Sequence, residues 1–368
     1  MGMAPLVTGS ALPAPSCCGR GCRRTGRYRG PACPGGRIGH TETVSTVDAN
    51  VENPNALVPA QDLEVTAARL ARVGDLTVRR LLPLRLRRSV GPWCFVDHYG
   101  PQSVDGVTGM RVPPHPHIGL QTVTWLLAGN VLHRDSLGSE QMIRPGQLNL
   151  MTAGRGIAHA EESPAAHDPI LHGVQLWVAL PDASRQAAPA FEHHAELPAT
   201  RVGGFRVTVF MGELAGARSD ATAFSPIIGA ELTAAAAPAQ ADLPLDPAFE
   251  HVLFVAAGSA VVTGRPAPDG VALEPGQLLY VPTGRDRVSL TAPEGSCVLL
   301  LGGTPLGETL LMWWNFVART PEEIAAATAS WQAGDYPAVG GYEGDPLPAP
   351  PLDVARLLRR ARPGDDPR

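Results

Sequence analysis

The sequence contains no lysine; all 30 of its basic residues are arginine, which reads as a compositional bias of the source genome and carries no function. Long apolar runs are also missing. No stretch reaches the roughly 18 consecutive apolar residues a spanning helix needs, so a soluble protein without a membrane partner is expected. Strong charge of either sign is absent too: the formal net charge is −5. That gives the chain no electrostatic reason to bind a polyanion, and nucleic acid is excluded as an expected partner. Arg20, Arg23, Arg24 and Arg27 near the start are followed by no apolar core of a secretion signal, so a cytoplasmic protein is expected. Cysteine is scarce in the body of the chain. Four of the six, Cys17, Cys18, Cys22 and Cys33, lie near the start, leaving Cys94 and Cys297 alone. This excludes a disulfide framework, and the early cluster lacks the second C-x-x-C of a zinc knot.

What is present points to β-structure. With 368 residues the chain is too long for one ordinary core, so two domains are expected. Its 44% hydrophobic content suffices for large cores, while 40 Gly and 37 Pro favour short strands joined by turns. Residues 1–62 are poor in apolar periodicity and rich in Pro, Gly, Ser and Arg. They are expected to be a disordered extension. Strands are read at Thr122–Leu127, Gln147–Met151 and Val174–Leu180, where β-branched, aromatic and Leu residues stand between turn residues. The Pro- and Ala-rich interval 187–200 interrupts the pattern and marks a domain boundary, with His193 and His194 exposed in the linker. Strands resume at Phe205–Phe210, His251–Ala256, Ala260–Thr263 and Leu278–Val281.

The two halves share a grammar of strand, Ala-Gly, strand, x-Pro-Gly, strand, which suggests two copies of one barrel unit. The expected organisation is an all-β fold of two tandem barrels. Residues 63–190 form the first, 200–345 the second, and 346–368 a solvated tail with a short basic helix candidate. Thr320-Pro-Glu-Glu323 carries a capping box with Pro at the first helical position, predicting a helix over Pro321–Trp331.

Chemistry concentrates in two short segments. In Pro114-His115-Pro-His117 the imidazoles are two residues apart and project to one face of an extended chain. Pro116 has no N–H, which restricts this segment to a sheet edge or strand entry. His159-Ala-Glu161 repeats the spacing with one imidazole and one carboxylate. A lone H-x-H is more often a pair of surface or hydrogen-bonded histidines. Here the intervening length suits several strands of a small barrel, and the turn Ala153-Gly-Arg-Gly156 would return the second pair beside the first. Three nitrogens and one oxygen leave open positions on a metal that takes five or six ligands. The second half holds His251 and no H-x-H, so a metal-free barrel is expected there.

At this point a family comes into view. His115-Pro-His-Ile-Gly-Leu-Gln-Thr-Val-Thr-Trp-Leu-Leu-Ala-Gly129, His133-Arg-Asp-Ser136, Pro145-Gly146 and Met151-Thr-Ala-Gly-Arg-Gly-Ile-Ala-His-Ala-Glu161 resemble the pirin family of bicupins. So do Gly91-Pro-Trp-Cys-Phe-Val-Asp-His98, Leu301-Gly-Gly-Thr-Pro-Leu306 and Trp313-Trp-Asn-Phe-Val-Ala-Arg319, and the likeness runs from about residue 63 to 345. It implies tandem cupin barrels and metal ligation by His115, His117, His159 and Glu161. A general cupin pattern would place a carboxylate where this chain has Gln121, so the resemblance assigns that role to Glu161. It also implies quercetinase-like activity on one divalent transition metal: iron(II) first, with manganese, nickel, copper and zinc as alternatives. The partners are then dioxygen and an aromatic small molecule, and the products a depside and carbon monoxide. Glu161 would be ligand and catalytic base together, with Gln175 and Arg155 as candidate substrate-binding residues. His133 and His172 match family positions as buried or pocket-lining residues. Metal affinity is expected to fall below the ordinary histidine pKa of about 6.5, because bound imidazoles must be neutral. A monomer is expected. The family also implies an alternative: a non-enzymatic regulator whose metal senses redox state and acts through a protein partner.

Overall fold

A computed structural model describes residues 63–353, apart from 74–75, 85–86, 108 and 265–266. The expected N-terminal extension with its four cysteines, and the basic helix candidate after residue 353, lie outside the described residues. Strands dominate what is described, and Pro321–Ala333 is its one helix. Among the described residues no helix is long and apolar enough to cross a membrane.

The first barrel sets a seven-stranded sheet against a four-stranded one. The large sheet runs in the order Ala190–His194, Leu148–Thr152, Leu120–Ala128, Ile170–Ala179, Trp93–Ser103, Leu76–Leu82, Arg69–Val73. Its small sheet runs Arg111–His117, Ile157–Glu162, Val131–Asp135, Glu140–Ile143. In the second barrel the large sheet is Glu64–Ala67, Gln277–Val281, Glu250–Ala257, Cys297–Gly303, Ile227–Ala234, Phe205–Leu214, Ala199–Val202, with Ala217–Arg218 beside Phe205–Leu214. The small one is Ala239–Pro244, Arg287–Ala292, Ala260–Gly264, Ala267–Leu273. Strand for strand, the two small sheets have the same order, as do the two large ones, which is the duplication the turn grammar suggested.

The barrels are not independent along the chain. Glu64–Ala67, expected in the first barrel, pairs with Gln277–Val281 and forms an edge of the second. The interval 187–200 is not a bare linker either: Ala190–His194 pairs with Leu148–Thr152, and Ala199–Val202 with Phe205–Leu214. Its prolines and alanines obscure the strands because edge positions tolerate both. His193 and His194 are therefore half-buried rather than exposed, and His193 Nδ1 lies 2.6 Å from Asn149 Oδ1.

The C-terminal part returns to the first barrel. A hairpin of Leu311–Trp313 and Phe316–Ala318 touches Ile118 through a bridge at Phe316. The helix starts as the sequence predicts: Thr320 accepts from the Glu323 N–H and Glu323 caps in return, while Gly334 closes the end in a left-handed conformation. Ile324 and Ala327 pack with Val78, Tyr99, Met110 and Leu126 of the first barrel. The expected solvated tail begins as packed chain: Leu347 is buried, its N–H donates to the Pro114 carbonyl at 2.9 Å, and its own carbonyl accepts from Trp331 Nε1 at 2.8 Å. An apolar anchor beside Trp331 outweighs the Pro-rich polarity around it.

Between the barrels lies an apolar seam. Trp93, Val96, Val123, Trp125 and Leu176 of one pack with Phe210, Val252, Phe254 and Leu299 of the other. Trp93 Nε1 donates to the carbonyls of Ile228 and Gly302, each at 3.1 Å, and the Gly91 N–H donates to Glu250 Oε2 at 2.9 Å. Gly91 has φ 51°, and a Cβ there would lie 2.7 Å from the Gly303 backbone. The motifs around Gly91 and Gly302 thus serve close sheet-to-sheet approach.

Candidate metal centre

The first barrel's small sheet sets the register of the site. His159 stands opposite His115 on one side and Asp135 on the other, and Glu161 stands opposite His133. The pairing slips between His159 and Glu161, whose partners are His115 and Val112. The extra residue falls at Pro113-Pro114, where no N–H is available for a regular ladder, so the strand bulges. Arg111–His117 is an edge strand, as Pro116 requires. The bulge supplies an acceptor: His115 Nδ1 lies 2.9 Å from the Pro113 carbonyl.

Three imidazoles converge. His115, His117 and His159 each place one ring nitrogen within 4.8 Å of the others, and all three are buried. Glu161 falls in a second, overlapping group with His133 and His159. The two groups share His159, and the Glu161 carboxylate is turned toward His133 and Thr124. Thr124 Oγ1 donates to Glu161 Oε1 at 2.8 Å and, sharing the same proton, faces Gln175 Oε1 at 3.1 Å.

Hydrogen-bond partners fix the tautomers. A carbonyl only accepts, so His117 Nδ1, 2.9 Å from the Asn315 carbonyl, carries its proton, and likewise His115 Nδ1 at Pro113. Both Nε2 atoms are left as lone pairs. His117 Nε2 and His159 Nε2 are 3.1 Å apart. Burial holds the imidazoles neutral: desolvation lowers His115 to about 4, and His117 and His159 well below the ordinary value. Burial thus keeps these imidazoles neutral below the ordinary histidine value of about 6.5. Burial acts oppositely on Glu161 and raises its pKa, although His133 and the Thr124 hydroxyl pull it back. Neutral, inward-facing imidazoles beside a buried carboxyl are the donor set a divalent transition metal takes, so the residues present fit such an ion.

The surrounding walls hold the donors still. Trp177 meets His117 edge to face at 5.2 Å and stacks on Phe95 at 4.1 Å, and the Arg80 guanidinium lies 4.6 Å from the Phe95 ring. Arg80 is locked in turn by a buried bidentate pair with Asp97, at 2.8 and 2.7 Å. Gly154 has φ 53°, and a Cβ there would strike the Ala187 carbonyl, so the turn before His159 demands glycine.

Among the other expected residues, Gln175 joins the site through Thr124, whereas Arg155 is exposed in the glycine turn with its backbone N–H bonded to Ala187 at 3.0 Å. His172 lies elsewhere: its Nε2 is 2.9 Å from His98 Nε2. Gln121 binds Thr152 Oγ1 at 3.0 Å and the Thr222 carbonyl at 3.1 Å, away from the imidazoles. Three contributors escaped the sequence reading: Thr124, Asp135 and the Asn315 carbonyl. The i, i+2 spacing of His133 and Asp135 was a usable signal; the other two carried none.

Comparison with known proteins agrees with this architecture. The Pirin family model matches residues 75–178, and the Pirin C-terminal cupin domain matches residues 232–337. A protein of Pseudomonas aeruginosa named putative quercetin 2,3-dioxygenase is 45% identical over 293 residues, covering 79% of this chain and 90% of that one. Human pirin is 31% identical over 263 residues, covering 66% of this chain and 84% of its own. The crystal structure of a quercetin 2,3-dioxygenase from Acinetobacter baumannii superposes with a TM-score of 0.75 at 39% identity, covering 79% of this chain and 96% of that one. In sequence, strand order and domain pairing alike, the chain belongs to the pirin family of tandem cupin proteins.

Proposed function

We propose that this chain is a metal-dependent dioxygenase that opens the ring of a flavonol or a similar enolic or catecholic substrate with dioxygen. The carrying observation is the convergence of three buried imidazoles, of which His115 and His117 hold their protons on nitrogens facing backbone carbonyls and so turn lone pairs inward. Such an arrangement is unfavourable without a cation to fill it. His115, His117, His159 and Glu161 are the residues that would hold one divalent ion, with iron(II) the first expectation and manganese, nickel, copper or zinc the alternatives. When bound, the ion supplies a Lewis-acidic, redox-capable centre for the substrate oxygen and for dioxygen.

The protein's own part follows from the residues around it. Glu161 has its pKa raised by burial, which improves its match to a weakly acidic enol or phenol, and it takes the substrate hydroxyl proton. Thr124 holds that carboxylate in place, and Gln175 offers an amide beside it for a second substrate oxygen. Trp177, Phe95 and Leu120 form an apolar wall that excludes water from the reacting ring. The names of the relatives from Pseudomonas aeruginosa and Acinetobacter baumannii support this substrate class.

The test is quercetin consumption under air by protein loaded separately with each of the five metals. Turnover by at least one, with release of carbon monoxide, is the expected result. No substrate loss with any of them returns the chain to the non-enzymatic regulator reading, which a redox-dependent protein partner would then support.

A further inference from the structure

We propose that Asp135 and His133 are a positioning pair that keeps the proton of His159 on Nδ1, so that its Nε2 lone pair is presented to the ion. This rests on the metal-centre reading above. The pair begins in a turn: Asp135 Oδ1 accepts from the backbone N–H of Leu137 at 2.9 Å and of Ser139 at 3.0 Å. Its other oxygen, Oδ2, lies 3.2 Å from His133 Nε2. These hydrogen bonds hold the Asp135 carboxyl below its ordinary pKa against the opposing effect of burial, so it stays an acceptor.

Because a carboxylate only accepts, His133 donates from Nε2, and in its neutral form it presents a lone pair on Nδ1. That nitrogen lies 3.4 Å from His159 Nδ1. His159 must therefore donate from Nδ1, and its Nε2 is free to face His117 Nε2. Phe191 stacks on the His133 ring at 4.5 Å with an interplanar angle of 14°, which fixes the plane in which this chain of bonds runs. His133, Asp135 and His159 are all buried, so water does not compete for the bonds.

His133 also belongs to the group with His159 and Glu161, where it would serve as a ligand in its own right. The geometry opposes that role. His133 addresses Nδ1 of His159, on the side of the ring away from His117, so an ion placed there would withdraw His159 from the three-imidazole cluster. A partner that orients a ligand and raises its basicity is worth about 10–100-fold in metal affinity.

The experiment reads tautomers directly. Long-range proton–nitrogen correlation spectra of the metal-free protein are expected to show His159 protonated on Nδ1. His133→Phe keeps the stack on Phe191 but removes the acceptor, so this preference is lost and cobalt(II) affinity, measured by chelator competition, falls about 10–100-fold. His133→Asn places a carbonyl oxygen near the lost nitrogen and restores both. Asp135→Asn makes the sharpest prediction. Its Oδ1 keeps the two backbone donors, so its amide N–H₂ is turned on His133 and reverses every proton in the chain. His159 then carries its proton on Nε2 and cobalt(II) binding weakens. This variant retains the His133 ring and carries the test if His133→Phe does not fold.

A wild-type His159 protonated on Nε2, or an unchanged tautomer in Asp135→Asn, overturns the proposal. So does a second cobalt(II) ion per chain that His133→Asn abolishes. Wild-type protein that binds no cobalt(II) while His159 keeps its Nδ1 proton would instead overturn the metal-centre reading and leave the positioning pair standing.

Discussion

The two barrels have the same strand order and opposite interiors. In the second, the inward positions of the small sheet are Ala239, Ala241 and Leu243, then Val288, Leu290 and Ala292, then Ala260 and Val262, all within one apolar cluster. In the first, the corresponding three strands present His115 and His117, then His159 and Glu161, then His133 and Asp135. Asp97, Thr124, Arg80 and Asn149 extend that polarity onto the large sheet. Shared turns and pairing order specify the barrel. What fills it is a separate matter: an apolar filling contributes stability, and a polar one gives up part of that contribution for chemistry. The seam between them offsets part of this, since the outer face of the first barrel buries apolar surface against the second.

The comparison breaks most visibly at the imidazoles. His117→Ala is expected to lower metal affinity by at least about 100-fold, beyond the range of an outer partner, and to abolish turnover while the circular dichroism spectrum persists. Unfolding of this variant would mean that the ion is structural. In the small sheet of the second barrel, Leu290→Ala leaves a cavity and costs about 2–5 kcal/mol in urea unfolding, with metal stoichiometry unchanged. Loss of metal in that variant would show that the barrels are coupled through the seam.

Acid sharpens the contrast. Desolvation holds His251 in the second barrel near 4, and His98 and His115 in the first near 3 and near 4. Each is neutral when folded but takes a proton near 6.5 when unfolded, so below that pH the unfolded chain binds more protons. Stability of the metal-free protein is expected to fall as pH drops from 6.5 toward 4, and to hold level above 6.5. His251→Gln should reduce this slope by one proton's share, and most of it should remain because the first barrel holds more of the buried imidazoles. A slope that vanishes in His251→Gln would contradict this distribution. The smallest effect belongs to Thr124→Val, which removes the hydroxyl holding Glu161. A loss of about 0.5–1.5 kcal/mol is expected in unfolding, with kcat lowered more than KM if Glu161 is the base.

Local patterns were legible in the sequence because they are written locally. The β-branched, aromatic and Leu content of Thr122–Leu127, the capping box at Thr320 and the two i, i+2 donor pairs all depend on residues within a few positions of one another. Duplication was legible from turns for the same reason. Strand exchange was not: nothing in Glu64–Ala67 distinguishes an edge strand of one barrel from an edge strand of the other, since the choice depends on partners more than 200 positions away. The Asn315 carbonyl was invisible because a backbone acceptor has no residue-type signature. The Pro- and Ala-rich interval misled because it combines edge-strand composition with linker composition, and only pairing to Leu148–Thr152 resolves the two.

The hairpin that delivers Asn315 gives the site an order of assembly in time. A chain emerging from the ribosome has made His115, His117, His159 and Glu161 long before residue 315, so every donor is available early. The carbonyl that sets the tautomer of His117 arrives only with the last fifth of the sequence, and the helix that braces the barrel follows it. The proposed site is therefore completed in stages, its donor residues first and the carbonyl that orients one of them last.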